Sequence, residues 1–170
     1  EWLGEHMSVS RFGHMRIGGA CLARLPVAVQ CEALACILKM LGGKTPLRAQ
    51  VRDLVALLRS GQGFRRTLGG GLVAARTADV IVCREAGRIP PEVAVPDGGT
   101  VLWDGRFSIT VPPGTVIRPL GRKRAFATAG VPSYVVAALP EVSIAGNAPF
   151  LPHFQPQDGV SVSLGERFKL

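Results

Sequence analysis

Apolar residues recur at helical spacing between residues 26 and 61, and this run constrains the fold more than any other part of the chain. The spacing predicts two amphipathic helices, because apolar side chains three or four positions apart share one helix face. Gly42 and Gly61 are typical of residues that follow the C-terminal end of a helix. Thr45 as N-cap and Pro46 as first helical residue are typical of the start of the second helix. The two apolar stripes are Val27, Cys31, Leu34, Leu38 and Leu41, and then Leu47, Val51, Leu54, Val55 and Leu58.

The sequence changes character after Gly61. Three short β-rich runs follow, at 64–68, 72–76 and 80–84, and turn-forming residues separate them. Runs of this kind predict a small antiparallel meander. Before the helices, "GHMRI" at 13–17 suggests one more short strand.

The second half of the chain is richer in strand signals and poorer in charge. The stretch 87–100 carries three prolines and three glycines and is the best candidate linker. We therefore predict an α+β fold with two domains: 1–89, a small helical unit with an antiparallel hairpin, and 90–170, a β-rich unit with short helices. The expected elements of the second unit are strands at 101–103, 106–111, 115–118 and 159–164, short helices in 122–130 and 132–140, and a hairpin around Gly146-Asn147.

Positive charge is concentrated in the first half. The net charge is +8, and residues 1–89 hold 13 basic and 6 acidic residues. Between Lys39 and Arg76 there are 8 basic residues and one acid, Asp53. A field concentrated in this way attracts polyanions, and nucleic acid fits better than a membrane surface because a large aromatic face is missing. A basic surface that only keeps the protein in solution is the alternative.

The second predicted helix carries an exposed arginine stripe. Arg48, Arg52 and Arg59 stand at i, i+4 and i+11, so they share one side of that helix. Long cationic side chains of this kind bind phosphates. The candidate nucleic-acid contacts are Lys44, Arg48, Arg52, Arg59, Arg65 and Arg66 in one region, and Arg122, Lys123 and Arg124 in a second patch.

Two glycine-rich segments resemble phosphate loops but lack the required spacing. "GGKT" at 42–45 has Leu38 where a Walker loop needs its first glycine, and Pro46 follows directly. "LGGGL" at 68–72 has turn-forming character instead. The four cysteines form no CxxC pair and are expected to be reduced, buried thiols. No catalytic, cofactor-binding or metal-binding constellation is predicted.

The motif "WDGRF" at 103–107 has a structural interpretation. Asp-Gly between strands is a turn signature, so Asp104 is expected to be a turn residue rather than a catalytic acid. Trp103 and Phe107 are expected in the core rather than as platforms for stacked bases.

Several segments, in one order, resemble the C-terminal part of tRNA(Ile)-lysidine synthases. They are "LPVAVQCEALACILKMLGGKTPLRAQVRDLVALL", "RTLGGGLVAARTADVIVCRE" with its final Arg84-Glu85, "WDGRF" as in α-proteobacterial members, and "GVPSYVVAALPEV". The resemblance runs from about residue 20 to 155. It implies that 1–89 is a central tRNA-binding domain and 90–170 a C-terminal domain.

The resemblance also implies an activity for the parent protein. Members of that family bind ATP, with magnesium, through a Ser-Gly-Gly-x-Asp-Ser loop in an N-terminal domain. They adenylate an anticodon cytidine of tRNA(Ile), and lysine then displaces AMP. This chain contains no such loop, so alone it is expected to be inactive and to hold no cofactor. The implied partners are tRNA(Ile) and the ATP-binding domain of the same protein.

A second class of function stays open at this point. The chain is alternatively a non-catalytic protein-interaction or scaffolding fragment whose basic surface is incidental. No apolar run approaches the ~20 residues that span a bilayer, and no signal peptide is recognised. A cytoplasmic protein is therefore expected, with a homodimer left open.

Overall fold

The computed structural model describes residues 2–42, 44–76, 78–121 and 130–168. The chain forms two compact units, Glu1–Arg84 and Glu85–Lys169. Both combine helices with antiparallel strands, so the predicted α+β class is confirmed. The stretch 87–100, predicted to be a linker, instead contains strand Val93–Val95 and the start of strand Gly99–Trp103, within the second unit.

A five-stranded antiparallel sheet organises the first unit. The elements of this unit are α1 (Trp2–His6), β1 (Met7–Val9), β2 (Met15–Gly18), α2 (Gly19–Ala23), α3 (Val27–Met40), α4 (Arg48–Arg59), β3 (Phe64–Leu68), β4 (Gly71–Arg76) and β5 (Asp79–Arg84). The strands run in the order β1-β2-β5-β4-β3, so β3 forms one edge. The predicted meander is confirmed as β3, β4 and β5, and the run at 13–17 forms β2.

One face of this sheet belongs to the core. Val73 pairs with Val82, and Val82 pairs with Met15, so the three side chains point to the same side. All three are fully buried. Six of the ten residues predicted to face inward on α3 and α4 are also buried, namely Leu34, Leu38, Leu41, Val51, Leu54 and Val55. Cys31 and Leu58 are half-buried, and Val27 is 42% exposed, so the prediction is wrong for Val27. Burial of these apolar faces is the main stabilising term of the unit.

Helix α4 begins two residues later than the capping signals predict. Its N-cap is Leu47, not Thr45, and no side chain caps it. The Leu47 N–H instead donates to Gln50 Oε1 at 3.3 Å. Leu47 is 69% exposed, so the prediction that it lies on the buried face is wrong. Pro46 is buried, and packing of this segment against the turn after β3 keeps it extended.

The glycines at 69–71 make a tight turn. Gly69 and Gly70 have φ of 60° and 85°, and they connect β3 to β4 as a two-residue hairpin loop. A Cβ on Gly69 would lie 2.5 Å from the Lys44 carbonyl oxygen, and one on Gly71 would lie 2.5 Å from Leu38 Cδ2. Close backbone approach therefore explains the glycine run.

The second unit contains two three-stranded antiparallel sheets. The elements are β6 (Val93–Val95), β7 (Gly99–Trp103), β8 (Phe107–Val111), β9 (Thr115–Pro119), α5 (Ser133–Val136), β10 (Pro140–Ile144) and β11 (Ser161–Leu164), with 3₁₀ turns at Ala86–Arg88 and Glu166–Phe168. The strands of the two sheets run in the orders β10-β9-β6 and β11-β8-β7. The predicted hairpin around Gly146-Asn147 is confirmed only as a single bridge between Val142 and Phe150. The short helix predicted in 122–130 falls, except for residue 130, outside the described residues.

The "WDGRF" motif forms the β7–β8 turn. Asp104 has a φ of 49°, and the Arg106 N–H donates to the Trp103 carbonyl at 3.0 Å. Trp103 and Phe107 are buried and stack with ring centroids 6.2 Å apart, which confirms their core role. Arg106, also buried, donates from Nε to Asp104 Oδ2 at 2.7 Å. Asp104 is therefore a turn residue that neutralises a buried guanidinium.

The cysteines are free thiols in different environments. Only Cys83 is buried; Cys21 and Cys31 are half-buried and Cys36 is exposed. The expectation of buried thiols is therefore wrong for Cys36.

Candidate nucleic-acid interface

The predicted arginine stripe is present along one flank of α4. Arg48, Arg52 and Arg59 are all exposed. At 100° per residue they lie within about 40° of one another around the helix axis, and Arg48 and Arg59 are about 16 Å apart along it. A helix flank of that length can contact the phosphates of several successive nucleotides. We call these three residues the arginine stripe.

Acidic side chains leave the arginine stripe largely clear. Asp53, the acid within α4, is on the opposite flank, about 120° from the centre of the stripe. Glu32 of α3 lines the groove beside Arg48 and Arg52, and Asp79, which forms an ion pair with Arg16, lines a crevice beside Arg59. The local field along the stripe is therefore positive.

Arg65 and Arg66 do not extend the arginine stripe together, contrary to the prediction. Both lie on the edge strand β3, where successive side chains point to opposite faces of the sheet. Arg66 pairs with Val73, so it shares the helix-facing side and lines a crevice with Asp53 and Leu57. That crevice is on the flank of α4 away from the stripe. Arg65 points to the other face of the sheet.

The remaining predicted contacts fall in different places. Lys44 is exposed in the segment between α3 and α4. Arg122, Lys123 and Arg124, the predicted second patch, lie outside the described residues.

Some cations of the first unit have structural roles. Arg84 is buried, and its Nη1 donates to the Gly70 carbonyl at 3.0 Å, which ties β5 to the glycine turn. Arg16 forms an ion pair with Asp79 on the neighbouring strand. The net charge therefore overstates the number of cations that face a polyanion.

Sequence reasoning missed two concave surfaces that border the arginine stripe. Near its start, α3 and α4 enclose a groove of about 440 Å³, lined mainly by apolar side chains with Arg48 and Arg52 at its rim. Near its end, Arg59 and Leu58 line a crevice of about 240 Å³ with α2 and Asp79. The spacing of Ala28, Cys31 and Ala35 along α3 was the available signal for the first surface. Its existence depended on how α3 packs against α4.

The described residues include no group of three metal-ligating side chains that could hold an ion. In the same part of the chain, no helix is long and apolar enough to cross a membrane.

Part of the chain is similar in sequence to a known protein. No family model matches the chain. Over 80 residues the chain is 36% identical to a tRNA(Ile)-lysidine synthase of Rhizobium meliloti (strain 1021). The aligned part is 46% of this chain and 17% of the length of that protein. The chain is thus similar to a small part of that synthase.

Proposed function

We propose that this chain is the C-terminal, tRNA-binding region of a tRNA(Ile)-lysidine synthase. The parent protein would use ATP and lysine to convert an anticodon cytidine of tRNA(Ile) to lysidine. The ATP-binding domain would lie outside this chain and would be its partner within the same protein. The similarity to the Rhizobium protein supports the family, and the Ser-Gly-Gly-x-Asp-Ser loop is missing from these 170 residues.

The arginine stripe is the observation that carries the proposed role. Its three guanidinium groups follow one exposed helix flank, and Asp53 is turned away from them. Guanidinium groups donate several hydrogen bonds to phosphate oxygens while neutralising their charge. A stripe of this kind positions an RNA backbone without reading its sequence. Selection of tRNA(Ile) over other tRNAs would then depend on the shape of the RNA and on contacts made elsewhere in the protein.

Salt-dependent binding of tRNA(Ile) tests this role. Replacing Arg48 and Arg52 with alanine should lower the affinity by about fourfold per lost contact at physiological salt, because each contact releases condensed counterions. The slope of log K against log salt should also fall by about 0.7–0.9 per contact. The free energy of unfolding should change little, because exposed arginines contribute little to stability.

Arg66→Ala provides the matched control. It removes the same charge from the same unit, but from the opposite flank of α4. We expect Arg66→Ala to change the slope of log K against log salt less than Arg59→Ala, which is a single substitution within the arginine stripe. An unchanged affinity and slope for the Arg48/Arg52 double variant would refute the docking role. The scaffolding alternative would then be favoured.

A further inference from the structure

The groove between α3 and α4 is the more apolar of the two concave surfaces described above that border the arginine stripe. Val51 and Pro46 are buried at its floor, while Cys31 and Ala35 form part of the α3 wall. Val27 at its end is 42% exposed, which is high for a valine in a helix. Its volume of about 440 Å³ is in the range of sites that hold small organic groups.

Charge and shape together restrict what fits the groove. Arg48 and Arg52 line its α4 side, and Glu32 is the acid on its α3 side. An occupant should therefore combine a flat or apolar body with an anionic group next to it. The cationic rim does not stop at the groove, because the stripe continues along α4 to Arg59. A ligand with charge repeated along its length matches this better than a single acidic group does.

An unpaired nucleotide of a bound RNA has these properties. Proteins commonly take splayed-out bases into pockets and stack them on aromatic rings or on arginine planes. Here the aliphatic walls and the guanidinium planes would contact the base, and the same arginines would hold its flanking phosphates. Glu32 would accept a hydrogen bond from an exocyclic amino group, the role that carboxylates take with cytosine.

We propose that the α3–α4 groove receives one unpaired nucleotide of the RNA that binds along the arginine stripe. This inference rests on the proposed function and deepens it, because it assigns a structural class to the RNA segment that meets α4. That segment is a bulge, loop or end, not continuous duplex. The groove would supply selectivity for unpaired structure, and the stripe would supply affinity.

Two short blunt-ended RNA duplexes test the proposal: one with a single bulged nucleotide in one strand, and the same duplex fully paired. The unmodified chain should bind the bulged duplex about tenfold more tightly, a difference of about 1.4 kcal/mol. Ala35→Leu fills the groove from the α3 wall with a good helix former and should remove this preference. Cys36→Leu places the same side chain at the next position, outside the groove, and should keep the preference.

The outcomes separate the two proposals. Equal affinity of the unmodified chain for both duplexes would overturn the nucleotide site but leave the tRNA-binding role intact. No salt-dependent binding of either duplex or of tRNA(Ile) would refute both. If Ala35→Leu leaves both affinities and the preference unchanged, the groove takes no part in RNA binding; it would be open to a protein segment, and the nucleotide site is wrong.

A second measurement needs no substitution in the groove. Cys31 lines the groove and Cys36 lies outside it, so alkylation of Cys31 reports on the occupancy of the groove and alkylation of Cys36 is the control. Iodoacetamide should alkylate Cys31 more slowly when the bulged duplex is bound than when the paired duplex is bound at equal saturation. The alkylation rate of Cys36 should be the same in both complexes. Equal protection of Cys31 by both duplexes would contradict base insertion.

Discussion

Removing the charge of Asp104 should strongly destabilise the second unit. The side chains of Arg106 and Asp104 are 1% and 3% exposed, and Nε and Oδ2 are 2.7 Å apart. Arg106 Nη2 also donates to the Ala138 carbonyl at 2.6 Å. Asp104→Asn leaves the turn intact, because asparagine tolerates the φ of 49° at this position. The substitution therefore isolates the loss of the carboxylate charge.

The expected loss follows from the burial of the guanidinium. Removing one partner of a buried ion pair costs about 3–5 kcal/mol, because the other charge is left uncompensated. The Ala138 carbonyl still accepts from Arg106, and the asparagine oxygen can replace one acceptor, so we expect about 3 kcal/mol. With a urea dependence of about 1–3 kcal/mol per molar, the unfolding midpoint should fall by about 1 M or more.

Tryptophan fluorescence measures this loss in the relevant unit. Trp103 is buried next to the pair, and a Trp2→Phe background removes the signal of the first unit. Asp158→Asn is the control, because it removes an exposed carboxylate from the same unit, where less than about 1 kcal/mol is expected. Equal, small losses for both variants would show that the buried pair does not hold the turn and its surroundings.

Two further predictions concern the first unit. Gly69→Ala should lower the free energy of unfolding by at least about 2 kcal/mol, because the new side chain would combine a positive φ with close contact to the Lys44 carbonyl. Gly61→Ala is the control, because its φ is also positive but the space around its Cβ is open. It should lower the free energy of unfolding by about 1 kcal/mol in the same urea titration. Burial, and then the charge of Arg16, lower the pKa of His14 below its ordinary 6.5. The folded state then binds fewer protons than the unfolded state, so stability should be greatest above about pH 6.5 and fall as the pH drops through the folded pKa. His14→Gln should remove that component, and an unchanged acid dependence would contradict it.

Periodicity in the sequence predicted most of the regular structure. The spacing of apolar residues identified α3, and turn residues between β-rich runs identified β3, β4 and β5. These signals are local, because the burial of one face determines both the pattern and the element. The elements α1 and β1 were missed because each is at most five residues long and neither has a repeating apolar pattern.

The errors occurred where tertiary contacts decide. Thr45 and Pro46 form a good helix start on local grounds, but packing against the turn at Gly69 keeps that segment extended. Arg65 and Arg66 are a different case, because alternation along a strand is a local property. They are neighbours in sequence, and for that reason their side chains lie on opposite faces of the sheet. The groove beside Arg48 needed the packing of α3 against α4, which no single segment encodes.

This geometry changes what the positive charge means for RNA binding. The sequence from Lys39 to Arg76 contains 8 cationic residues. If each of them contacted a phosphate of the RNA backbone, the slope of log K against log salt would have a magnitude of about 6–7. The arginine stripe brings only three of these cations onto one flank of α4, while Arg66 and Arg65 point elsewhere. Three contacts give a slope of about 2–3. A slope near the smaller value in the salt series with tRNA(Ile) would mean that RNA follows one helix flank. A slope near the larger value would mean that RNA wraps around the unit, and the arginine stripe would then lose its special role.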